Sequence, residues 1–111
     1  MSRHHFHTTH ENRLVVVTLG WDRPLQGYFM MVQKQDVNDS QDEDIFLFNN
    51  MEWVESHPLS LDPFMGALKK LGIALPDMLY QELLVDGRIN AGNKMVEWRM
   101  QDGHLERKQV L

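Results

Sequence analysis

The chain has 111 residues and a formal charge of -5, with 42% hydrophobic and 24% charged residues. That is the size of one domain and the composition of an ordinary globular one. It has no cysteine, which excludes a disulfide framework, a thiolate zinc site and a cysteine nucleophile together.

The polar, histidine-rich N-terminus does not have the pattern of a secretory signal. No apolar run approaches the roughly 20 residues that span a bilayer. The expectation is a cytoplasmic protein with no membrane contact. The acidity is local: Asp36, Asp39, Asp42, Glu43 and Asp44 fall within nine residues, and without them the chain holds eleven acids against eleven Lys and Arg. No basic footprint for nucleic acid is present.

Residues 1–12 carry His4, His5, His7 and His10. They are expected to form either a disordered polar tail or a first edge strand, in which His5 and His7 would share a face. Imidazoles suit Zn, Cu and Ni, so the four histidines are the candidate metal ligands.

Residues 13–32 read as two strands, 14–19 and 28–32, around a loop bounded by Gly20 and Gly27. The valine-rich first strand is expected to be covered on both faces. The loop holds Trp21, Asp22, Arg23 and Pro24, and Tyr28 follows. Trp and Arg are favoured contact anchors, so Trp21, Asp22, Arg23 and Tyr28 form the candidate binding surface. The competing reading makes Trp21 a lid on the core and Asp22 the holder of the loop through an Asx-type bond.

The acidic loop fails as an EF-hand. With Asp36 at the first position, the required glycine is Gln41 and the required glutamate is Leu47. A third strand follows over residues 45–48, completing a three-strand antiparallel meander. Residues 51–54 read as a short continuation.

Asp62-Pro63 then reads as an N-cap and first helical residue. Phe64, Ala67, Leu68 and Leu71 recur at helical spacing, and Gly72 is the stop. A second helix runs from Pro76 to a stop at Gly87, with Leu79 and Leu83 on one face. The two helices invite a DNA-binding reading, but the second carries Asp77, Glu82 and Asp86 with no base before Arg88, which is wrong for phosphates. Residues 94–101 alternate as a half-buried strand. Asp102-Gly103 offers a two-residue hairpin turn, and residues 104–111 return as an edge strand that Glu106, Arg107 and Lys108 would protect.

The predicted fold is a single α+β domain over residues 1–111. It has an antiparallel sheet of four to five strands, built from the meander plus a C-terminal hairpin, with two consecutive helices packed on one face. No catalytic motif stands out. Ser56-His57 is adjacency alone, Glu52 and His57 are linked by nothing in the sequence, and the glycines of residues 87–93 lack a phosphate-loop context. Seven internal methionines read as core filler. The leading function is a small binding or adaptor protein that contacts a protein partner without catalysis or cofactor. The alternatives are a metal-binding protein using the histidines, and an enzyme whose site is assembled at a homodimer interface.

Overall fold

The computed structural model describes residues 1–35, 46–49 and 60–111. The acidic loop, the continuation at 51–54 and the Ser56-His57 pair lie outside the described residues. In chain order the elements are β1 (Ser2–His10), β2 (Arg13–Asp22), β3 (Gly27–Lys34), β4 (Phe46–Asn49), α1 (Asp62–Leu71), α2 (Asp77–Arg88), β5 (Lys94–Gln101) and β6 (His104–Gln109).

The class is α+β, but the sheet is mixed, with six strands among the described residues in the order β4-β3-β2-β1-β5-β6. The predicted meander is present as β2, β3 and β4, and the predicted hairpin as β5 and β6. The correction is β1. It is neither a tail nor an edge strand: it pairs antiparallel with β2 and parallel with β5, joining meander to hairpin. Ser2, His4 and Phe6 alternate into the interior at 0%, 0% and 3% exposure. Only Phe6 of these is apolar, so hydrophobic patterning could not reveal that the strand is central. A serine and a histidine can take buried positions when their polar atoms are bonded.

One face of the sheet holds the core. Val17, Leu19, Met30, Val32, Val96 and Trp98 form one buried cluster with Phe64 and Leu68 of α1 and Leu79 and Leu83 of α2. α2 lies against β2 and β1, and the Phe64 ring meets Phe48 of β4 edge-on at 6.1 Å. Leu68 is 4% exposed. Leu68→Ala is therefore expected to lower the unfolding free energy by about 2–5 kcal/mol, and a denaturation midpoint equal to that of the parent would contradict this packing.

Of the valine-rich run expected to be covered on both faces, the far end is: Thr18 and, beyond the run, Gly20 are buried on the face away from the core, whereas Leu14 on that face is 56% exposed. Gly20 is not a loop glycine. It sits within β2, where a side-chain carbon would collide with the Ser2 carbonyl and the Phe29 ring. Close approach of β1 and β3 requires glycine at this point.

The helix ends differ from expectation in detail. Asp62 is the first residue of α1 and Leu61 is its N-cap, with Pro63 in the first turn. Gly72 does stop α1, in the left-handed region at φ 72, with Ile73 N–H reaching back to the Leu68 carbonyl. Gly87, however, lies inside α2. Its lack of a side chain leaves room for the Tyr28 hydroxyl. The left-handed residue that turns the chain out of α2 is Asn90, at φ 54, and Ala91 N–H reaches back to the Asp86 carbonyl. Asn tolerates this conformation better than most residues.

Candidate functional site

α2 places Leu79, Leu83 and Asp86 on one stripe, and all three are fully buried. An aspartate in an apolar stripe must be compensated by bonds. Asp86 Oδ2 is 2.6 Å from His4 Nε2, and its Oδ1 accepts from Lys94 Nζ at 2.8 Å. Lys94 Nζ also lies 3.0 Å from Glu82, one helical turn before Asp86. Glu82 accepts two hydrogen bonds from the Arg107 guanidinium, the Nε–H bond at 2.9 Å. Arg107 in turn lies over the Trp98 ring at 5.6 Å, and Trp98 Nε1–H donates to His4 Nδ1 at 3.0 Å. These six side chains close a ring that ties α2 to β1, β5 and β6.

The hydrogen bonds fix the tautomer of His4. An indole N–H can only donate, so His4 Nδ1 accepts, and the ring proton sits on Nε2 and points at Asp86. Burial pushes the Asp86 carboxyl up, but hydrogen bonds from His4 and Lys94 outweigh it and hold the group below its ordinary value. Arg107 chiefly holds the Glu82 carboxyl down, against burial and with help from Lys94. Lys94 is raised: burial opposes its charge, and the two carboxylates more than restore it. Two acids are matched by two bases, and the deep end is shut, with His4 and Asp86 both at 0% exposure.

A histidine–aspartate pair can serve as a proton relay when the second imidazole nitrogen faces a reacting group. Here that nitrogen is occupied by an indole, which neither attacks nor exchanges protons usefully. The ring clamps the fold.

β1 separates the four histidines. His4 points into the ring with both nitrogens engaged. His5 and His7 share the opposite face, as period-two alternation requires. His5 Nδ1 lies 3.0 Å from Thr18 Oγ1, and His7 Nε2 lies 2.7 Å from Glu97 Oε2. Burial lowers the His5 imidazole, partly offset by Glu97. His10 shares the His4 face but stands six residues along, about 20 Å in a strand. Among the described residues no group of three His, Asp or Glu is placed to hold a metal ion.

The predicted contact loop is a tight turn over residues 23–26. Trp21, Asp22 and Tyr28 are buried at 6%, 4% and 5% exposure. The Trp21 ring meets Tyr28 at 5.0 Å, and its Nε1–H donates to Asn90 Oδ1 at 2.9 Å. The same Asn90 oxygen accepts from Gln26 Nε2 at 2.8 Å. Asp22 Oδ1 accepts from Leu25 N–H at 3.2 Å, the Asx-type bond expected of it. Burial raises the Tyr28 phenol, and nearby Asp86 adds to the shift. Of the predicted residues, Arg23 is the one at the surface, beside the exposed Leu25. Gly20 and Gly27 do not supply left-handed angles; within the turn that conformation falls on Gln26, at φ 52.

Sequence reasoning missed the ring, although Asp86 in the Leu79–Leu83 stripe was a visible signal. It also missed Asn90, which joins the turn to the end of α2. A groove of about 440 Å³ by the link between the helices is lined by Met65, Leu68, Ile73, Leu75 and Tyr80 among others. Among the described residues, no helix is long and apolar enough to cross a membrane. Comparison with models of known families, with curated proteins and with solved structures finds no match.

Proposed function

We propose that this is a small cytoplasmic binding or adaptor protein that contacts a protein partner through the 23–26 turn and performs no catalysis. In this reading two helices cover one face of the sheet, and the turn projects where that face meets the end of α2. The observation that carries it is a rigid turn with an exposed tip. Asp22 and Asn90 hold the turn from below, Pro24 restricts it, and Arg23 and Leu25 stand outward, Leu25 at 58% exposure. A pre-ordered tip loses little entropy on binding.

Ile89, 65% exposed, adjoins Asn90 and so lies by the same junction. Arg88 and Arg23 add positive charge. The fitting partner presents an apolar recess flanked by carboxylates. Trp21 then supports the turn from beneath.

Leu25→Asp combined with Arg23→Glu tests this. The double variant should stay within about 0.5 kcal/mol of the parent in stability, as exposed substitutions do. It should also lose the complexes that the tagged parent chain forms in its native cells, read by quantitative co-purification. Retention of every complex at unchanged stability would remove the turn from the contact surface.

A further inference from the structure

We propose that the protein pairs with a second copy of itself along β6, in one antiparallel register centred on Arg107. Among the described residues, β6 is an edge of the sheet. Val110 N–H donates inward to the Met95 carbonyl at 2.8 Å, so even-numbered positions of this segment turn their peptide groups toward β5. The peptide groups of Leu105, Arg107 and Gln109 therefore face outward, where no strand among the described residues bonds them.

The side chains select the partner. On the face opposite the core, β5 and β6 oppose Arg99 to Glu106 and Glu97 to Lys108. A two-fold axis at Arg107 sets Glu106 opposite Lys108 of the second copy, and Lys108 opposite its Glu106. Each row across the seam then runs Arg99, Glu106, Lys108, Glu97, alternating in sign through both copies. Shifting the axis to Glu106 or to Lys108 sets like charges against each other. The Arg107 pair meets on the axis, but each guanidinium is folded over its own Trp98 and bonded to its own Glu82.

The Glu106–Lys108 contacts fall at non-hydrogen-bonded positions, where opposed side chains approach most closely. Edge charges ordinarily repel other strands. This arrangement repels the neighbouring registers of the same chain and admits the one centred on Arg107.

Sedimentation equilibrium of the full chain and of two charge-reversed chains decides the matter. Wild type should show a concentration-dependent dimer. Glu106→Lys alone and Lys108→Glu alone should each dimerise about tenfold more weakly or worse, because symmetry turns two attractive contacts repulsive. An equal mixture of the two variants should recover the dimer. The first variant is basic at both positions and the second acidic at both, so each contact across the mixed seam again joins opposite charges. Circular dichroism of each variant checks that it folds. A wild type that is monomeric at every concentration overturns the proposal, as do variants that dimerise like wild type or a mixture that fails to recover.

Discussion

Asp86→Ala should be the most damaging change at any polar position in this fold, lowering the unfolding free energy by about 3–5 kcal/mol. Removing the carboxylate leaves the buried Nε2–H of His4 without its acceptor and Lys94 without its deeper partner. The loss therefore includes the cost of stranded polar groups, not only of the bonds removed. Glu82→Gln should cost less, because that carboxylate is 19% exposed and water can reach Arg107 when it is gone.

A pH series separates charge from shape. The folded-state pKa of Asp86 lies below its ordinary 3.8. The native state therefore binds fewer protons than the unfolded state near that pH. The resulting stability is fully present above the unfolded value and is lost as pH falls through the folded one. Asp86→Asn, which cannot ionise, should lack this component of the acid-side decline. A wild type and an Asp86→Asn variant with parallel stability–pH curves below about pH 5 would mean that the ring does not depress this group.

The ring also explains what the sequence could and could not disclose. β2, β3 and the hairpin of β5 and β6 were legible because their signals are local: apolar runs, turn residues, period-two alternation. Met100 shows the limit even there. It follows Val96 and Trp98 in the pattern yet is 54% exposed, because alternation assigns a face and not how far cover extends along it. Both helices were legible from apolar spacing, and Gly72 from its stop. Gly87 misled because close approach and chain reversal both select glycine, and only packing against Tyr28 distinguishes them. The central position of β1 was hidden for another reason. Its place depends on parallel pairing with β5, some ninety residues away, and on polar side chains satisfied by equally remote partners. No window of sequence contains both halves of such a contact.

The second large effect belongs to Trp21, where two readings of the same residue make opposite predictions. Its ring is 6% exposed, in edge contact with Tyr28, and its indole proton is spent on Asn90. Trp21→Ala should therefore lower stability by about 3–5 kcal/mol, the usual cost of deleting a buried aromatic side chain. Asn90→Ala should cost less, as it leaves the ring packed; it removes the shared acceptor of Trp21 and Gln26 and puts a less tolerant residue at the left-handed φ of 54. Any loss of partner binding in Trp21→Ala would then follow its unfolding and would be recovered under conditions that restore folding. Leu25→Asp, at the exposed tip, should show the reverse: binding lost and the unfolding midpoint kept. Should Trp21→Ala instead keep its midpoint while partner capture disappears, the indole itself would be the contact, and the turn would have to open from Asn90 to present it.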